Sequence, residues 1–390
     1  MRVLYVNQAG QVSGAERSLL TLIDGLPGDV TPFVACPAGE LEDEVRRRGI
    51  ESHRIAGTAA SFRLHPWHTA RGLFDIGRSS LEVRRAVARF APDVVHANTT
   101  RASLLALIGR KRSGPPVVAH IRDWTPPGAF PDFVLRVIEG GAVAIAANSA
   151  YVAARFPGDR LERPVVVVPN PVDLEPFATD RTDGPAIRQE TETPADVVVL
   201  SIIGQLAPLK AQDDAIRMAA DLATAGKDVR LLVVGSVKFA SSGASLDNAT
   251  FGERLPALAR ELGVDDRVLF LGERSDIADI LAATDILLMP FWQDGLGRVA
   301  VEAMASGVPV AASSVGGPAE LVRDGIDGLV MPPKSPQLWS AALGELIGDA
   351  EARRRMSANG REHASEFTVE KHVEQVLSLY RRIGDMSGSA

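Results

Sequence analysis

Short apolar runs rich in Val, Ile and Leu recur along the chain at 3–6, 94–96, 117–121, 143–147, 197–203, 231–235, 268–271, 286–290 and 308–312. They are continuous rather than alternating, as strands buried on both faces of a parallel sheet require. Longer segments with helical spacing lie between them, so the pattern predicts repeated βαβ units. Residues 367–383 read as an amphipathic helix with Val373, Val376, Leu377 and Tyr380 on its apolar face. No period of 20 to 50 residues is present, which argues against a solenoid.

The rhythm breaks at residues 178–196, a polar stretch with Pro and Gly that reads as a link between two domains. A second polar loop, 236–250, interrupts the later half. The expected organisation is a domain at 1–178, a second at 179–366 and a final helix at 367–390. Two doubly wound domains place ligands at the carboxyl ends of their strands, in a cleft fed by loops of both.

Composition narrows the classes. The 390 residues are 46% hydrophobic, enough for two α/β cores. A net charge of -7 argues against a globally basic nucleic-acid binder. Cys36 is the only cysteine, so neither an intrachain disulfide nor a Cys-based zinc site can form. Residues 3–6 read as a first strand and not a signal peptide, and no run of about 18 apolar residues would span a membrane. The expectation is a cytoplasmic protein.

The stretch that carries most chemistry is PFWQDGLGRVAVEAMASGVP, residues 290–309. It reads as a strand, a tight glycine loop and a helix starting near Leu296–Arg298. Such a start offers unpaired N–H groups and a positive dipole end to a diphosphate, with Gly295 and Gly297 permitting close approach and Val299 in the first turn. Asp294 lies ahead of the helix and Glu302 within it. An N-capping Asp and an ordinary helical Glu is the plainer reading of either residue alone. A lone carboxylate in a small, apolar helix, among Ala303, Met304 and Ala305, instead suggests a buried charge with a purpose.

This stretch resembles the donor signature of the family 4 retaining glycosyltransferases of GT-B fold, two acidic residues with seven between. The resemblance implies two facing Rossmann-like domains, with Asp294 (usually Glu) on the hydroxyls of the donor sugar and Glu302 on the ribose. It extends over nearly the whole chain. VPNPVDLEPF at 168–177 is similar to the segment closing the first domain. IGQLAPLKAQ at 203–212 looks like the first strand–loop–helix of the donor domain, where Lys210 matches a diphosphate-binding Lys and Gln205 stands where Arg is usual. A glutamine donates a hydrogen bond but brings no charge; Arg298 or Arg274 are candidates to help. VLFLGERSD at 268–276 matches the loop that holds the base. Arg274 there either stacks on the base or pairs with a carboxylate, and Asp276 reads as the N-cap of helix 277–283. GGPAELV at 316–322 is another family-like element, with Glu320 structural.

In the first half, GQVSGAERS at 10–18 lacks the dinucleotide fingerprint. It opens a helix at about Ala15 and resembles the family's flexible glycine loop, with Gly14 the candidate donor contact. In VVAHIRDW at 117–124, Arg122 takes the place of a reacting-centre His. His120 reads as a packing residue. Arg122 and Asp123 either face the cleft or form a structural salt bridge.

The implied reaction is retaining transfer of a hexose-type sugar from a UDP- or GDP-linked donor to an unidentified acceptor, with no metal and no cofactor beyond the donor. Asp294, Arg122 and Lys210 are the catalytic candidates. Nucleotide-sugar epimerisation or non-glycosidic coupling is the enzymatic alternative. A catalytically silent sugar-binding or scaffold protein is the other. Residues 63–112 are basic within an acidic protein (Arg63, Arg71, Arg78, Arg84, Arg85, Arg89, Arg101, Arg110, Lys111, Arg112) and carry Phe62, Trp67 and Phe74. Contact with anionic lipid at the inner face of a membrane, or with an anionic acceptor, is one reading; solvated helix faces are the plainer one.

Overall fold

The computed structural model describes residues 1–57, 66–156, 165–178, 184–237 and 248–388, with side chains for all but 66–73 and 385–388. The chain forms two compact units, Met1–Val172 with Phe367–Ala390, and Asp173–Glu366.

The first unit is built on seven strands: β1 (Arg2–Val6), β2 (Thr31–Cys36), β3 (Glu51–Arg54), β4 (Val94–Ala97), β5 (Val117–Ile121), β6 (Ala144–Ala147) and β7 (Val165–Val167). They lie in the order β3-β2-β1-β4-β5-β6-β7, every pair parallel. Order reverses between β1 and β4, so the chain leaves their carboxyl ends in opposite directions and opens a crevice there. Alternation along β1 sends Val3 and Tyr5 to one core and Leu4 and Val6 to the other. The first core is completed by helix Gly14–Asp24 and by helix Val369–Gly388, whose Val373, Val376, Leu379, Tyr380 and Ile383 are buried. Each such aliphatic side chain removed from water stabilises by about 1.5–3 kcal/mol.

The second unit has six: β8 (Val198–Ile203), β9 (Val229–Val234), β10 (Val268–Gly272), β11 (Ile286–Met289), β12 (Val310–Ser313) and β13 (Gly328–Met331), in the order β10-β9-β8-β11-β12-β13. Its pairs are also all parallel. The reversal falls between β8 and β11. Lys210 follows the first of these strands and Asp294 the second, which is how residues so far apart in sequence come together.

The polar stretch 178–196 is not simply a connector. It contains helix Gly184–Glu190, which belongs to the second unit. Arg188 fastens this helix, donating to Asp285 at 2.8 Å and to the backbone oxygens of Pro194 and Val197. Polarity there reflects a helix anchored by its charged face. Part of the loop 236–250 lies outside the described residues, as do Phe62 and Arg63 of the basic segment.

Candidate active site

In the second unit the loop after β8 tightens into a 3-10 turn, Pro208–Lys210, before helix Gln212–Thr224. The turn delivers Lys210 Nζ to 2.5 Å from Asp294 Oδ2, and to 4.0 Å from the centre of the Phe291 ring. Both charged side chains are partly buried, at 23% and 22% exposure, so the pair is partly screened from bulk solvent. The other carboxylate oxygen of Asp294 accepts from the Gly295 N–H at 2.8 Å. Asp294 is therefore not the helix N-cap. That position belongs to Gly297, at φ +82°, a left-handed conformation that a side chain disfavours.

The helix that follows, Arg298–Ala305, buries Ala300, Val301, Ala303, Met304 and Ala305. Small side chains let it lie close to the sheet. Glu302 sits on its less buried side and accepts from Arg298 Nη2 at 3.3 Å, one turn earlier. The loop is braced from behind by Gly316 and Gly317. A Cβ on Gly317 would lie 2.1 Å from Gly295 O and 2.4 Å from the Leu296 Cα, and Gly317 N–H donates to Asp294 O at 3.2 Å. Two backbones thus touch, and the site loop from Asp294 to Gly297 has its shape from that contact. Glu320 lies in the short helix Pro318–Leu321 just beyond.

Neighbouring candidates divide. The backbone carbonyl of Gln205 accepts from Gln212 Nε2 at 2.9 Å, which holds the loop after β8. Arg274 is engaged by two carboxylates, with Glu190 at 2.6 Å and Asp276 at 2.6 Å, and these raise its pKa further above the ordinary range. Of the two readings of Arg274, the structure shows the ion pair. Asp276 occupies the N-cap position of helix Ile277–Ala283 but makes no side-chain capping bond, because Arg274 takes its carboxylate and lowers its pKa.

The first unit holds a buried polar network at the β1/β4/β5 carboxyl ends. Arg122, only 6% exposed, donates to Asn98 Oδ1 at 2.9 Å, to Asn170 and to His120 Nδ1 at 3.3 Å. Asn98 donates to Asn7, which donates to the buried Glu16 at 3.0 Å. Glu16 also accepts from the N–H and hydroxyl of Ser13, at 3.1 and 2.5 Å, so its charge faces both a helix N-terminus and, through two amides, the guanidinium. Arg122 and Asp123 do not pair: Asp123 accepts from the Thr100 hydroxyl at 3.0 Å. Arg122 itself is held inside the unit by these bonds. Gly14 opens its helix one residue earlier than expected, and a Cβ there would meet nothing within 4 Å.

The network continues through His96, which the sequence did not single out, and through His120 and Tyr380, which it read only as packing residues. His120 Nδ1 lies 3.1 Å from His96 Nε2, and His96 Nδ1 lies 2.6 Å from the Tyr380 hydroxyl. An arginine only donates, so it fixes the proton order: His120 Nδ1 accepts, His96 Nε2 carries the proton, and Tyr380 donates to His96 Nδ1. Two signals were present in the sequence, the Ser13/Glu16 spacing of a capping box and a His in each of two central strands.

Comparison with known proteins now bears on this geometry. Residues 12–176 match the family model described as Glycosyltransferase Family 4, and residues 183–363 the one described as Glycosyl transferases group 1. A D-inositol 3-phosphate glycosyltransferase of Actinosynnema mirum is 33% identical over 369 residues, 90% of this chain and 85% of the relative. The chain belongs to the family 4 glycosyltransferases. A relative of the same description from Saccharomonospora viridis is 31% identical over 305 residues, 74% of this chain and 70% of its own. Among solved structures, Anabaena Alr3699/HepE in complex with UDP is 25% identical, with TM-score 0.82 over 98% of this chain and 100% of that one. The same protein with UDP-glucose gives TM-score 0.80, over 97% and 99%. This glycosyltransferase thus has the α/β GT-B architecture of two Rossmann-like halves. Among the described residues, no helix is long and apolar enough to cross a membrane.

Proposed function

We propose that this glycosyltransferase takes its sugar from a nucleoside-diphosphate sugar held by the second unit, with retention of configuration and without a metal. The observation that carries this is the cationic Lys210 held 2.5 Å from Asp294 directly ahead of the Arg298–Ala305 helix start. A diphosphate leaving group needs positive charge that is already in place. Lys210 and the helix N-terminus supply it, Lys210 turning from Asp294 to the phosphate as the donor enters. That exchange leaves the Asp294 carboxylate to the sugar hydroxyls, and Glu302 takes the ribose. Retention follows from a front-face route, in which a donor phosphate oxygen receives the acceptor proton. The UDP and UDP-glucose complexes of the Anabaena neighbour support a uridine donor. The name shared by the curated relatives supports a phosphorylated cyclitol as acceptor, and the first unit is its place.

Release of nucleoside diphosphate across a panel of nucleotide sugars, with myo-inositol 3-phosphate as acceptor, tests the reading. Isomerised donor without transfer product would instead establish epimerisation. Charge-assisted bonds of this kind carry about 1.5–3 kcal/mol, so Lys210→Gln is expected to lower kcat/KM by roughly 10- to 100-fold. Glu302→Ala is expected to raise the donor KM by about tenfold with a smaller change in kcat. Unchanged donor affinity and turnover in Glu302→Ala would remove it from the site.

A further inference from the structure

The basic segment of the first unit has no part in the proposed reaction, yet it borders a cavity. Helices Pro66–Phe90 and Thr100–Gly109 pack side by side over the sheet. Where Val83 and Val87 face Ala106, and Val95 and Val117 form the floor, a cavity of about 70 Å³ remains. Ala106 and Gly109 are too small to fill it. A water needs only about 10–15 Å³, but apolar walls give it no partners, so such a space favours a hydrocarbon guest. Arg84, Arg110 and Lys111 stand around it. Among the described residues, none of the three pairs with a carboxylate. The Arg110 Nε is buried and has no acceptor, and its Nη1 reaches only Gly141 O at 3.3 Å. A second depression, lined by Leu107, Ile108 and Val137, lies on the other side of Arg110 and Lys111.

We infer that this cavity is a binding site for an amphiphilic anion, an alkyl chain ending in a phosphate or carboxylate. The chain enters between Val83, Val87 and Ala106, and the head group meets Arg84, Arg110 and Lys111. Burying each methylene stabilises the complex, and the unaccepted Arg110 N–H supplies a charge-assisted bond. The site is separate from the polar network: Val117 begins β5 and Arg122 follows its end, so the two lie about 16 Å apart at 3.3 Å per residue. In an acidic protein this local positive charge selects for an anion.

Titration calorimetry of the full chain with octyl phosphate and with inorganic phosphate is the test. Octyl phosphate is expected to bind at least roughly tenfold more tightly than inorganic phosphate, since several methylenes are buried. Ala106→Leu, which fills the cavity, and the double variant Arg110→Gln/Lys111→Gln are each expected to weaken it by about tenfold or more. Thermal melts matching the parent would show that both variants fold. Equal affinity for the two phosphates, or octyl phosphate binding that neither variant weakens, would overturn the site. Flotation with phosphatidylglycerol and phosphatidylcholine vesicles identifies the source. Binding to the anionic vesicles that Ala106→Leu abolishes makes the ligand a membrane lipid. No vesicle binding alongside variant-sensitive octyl phosphate binding makes it a free amphiphile. Vesicle binding sensitive to the charge variant alone, without octyl phosphate binding, overturns the cavity in favour of a merely electrostatic surface.

Discussion

Gly317→Ala is expected to lower kcat/KM for sugar transfer by about 100-fold or more, at least as large a loss as removing any single charged side chain of the donor site. The added Cβ would lie 2.1 Å from Gly295 O and 2.4 Å from the Leu296 Cα. Both are backbone atoms, so no rotamer change relieves the clash, and one loop must move by an ångström or more. The loop that moves is the one carrying Asp294 and the start of the Arg298–Ala305 helix. Displacement of that size at a site whose work is positioning charge is costly, while the stability loss is the usual overpacking amount of about 1–3 kcal/mol. Steady-state kinetics beside a thermal melt separates the two. A folded Gly317→Ala enzyme with kcat/KM within tenfold of the parent would show that the Gly316–Gly317 brace does not shape the site. Gly14→Ala makes a useful contrast, because its Cβ meets nothing within 4 Å. Any loss of activity there reports the approach of a ligand and not a strained fold.

The difference between these glycines also marks what the sequence could and could not reveal. Buried parallel strands are continuous apolar runs, and β5 and helix Ile277–Ala283 fall where the pattern placed them. The edge strand β3, Glu-Ser-His-Arg, was silent because an edge strand with exposed side chains has no apolar run to show. Asp294, Lys210 and Glu302 were legible as candidates because together they resemble a known motif, not from local spacing alone. Their pairings were not: Lys210 and Asp294 are 84 positions apart and meet only through the β8/β11 adjacency. Arg274 shows the same limit, since Glu190 lies outside its local motif. The His96–Tyr380 contact spans 284 positions and depends on the last helix returning to the first unit.

That contact leads to a second large effect, acid destabilisation of the first unit between pH 7 and 5. His96, His120 and His372 are buried there, at 0%, 0% and 3% exposure. Burial, and then the positive charge of Arg122, holds the pKa of His96 and His120 well below 6.5 and that of His372 at about 3. The sign follows from proton counting. A histidine whose folded pKa is depressed stays neutral in the folded unit while the unfolded chain takes up a proton below about pH 6.5. The stabilisation is therefore complete above that pH and is lost as pH falls toward the folded values. At pH 5 His372 alone costs about 2 kcal/mol, and His96 and His120 add to that in the same direction, a sizeable share of the whole stability of a typical domain. Most carboxylates remain ionised at pH 5, so this window isolates the histidines. Urea unfolding followed at Trp124 of the first unit is expected to shift to much lower midpoint at pH 5, whereas Trp292 and Trp339 report the second unit separately. His96→Gln is expected to remove about one proton from the pH slope, whatever it does to the stability at pH 7. A midpoint for the first unit that does not change between pH 7 and 5 would mean that these imidazoles are hydrated or already charged, and the proton order assigned from Arg122 to Tyr380 would fall with it.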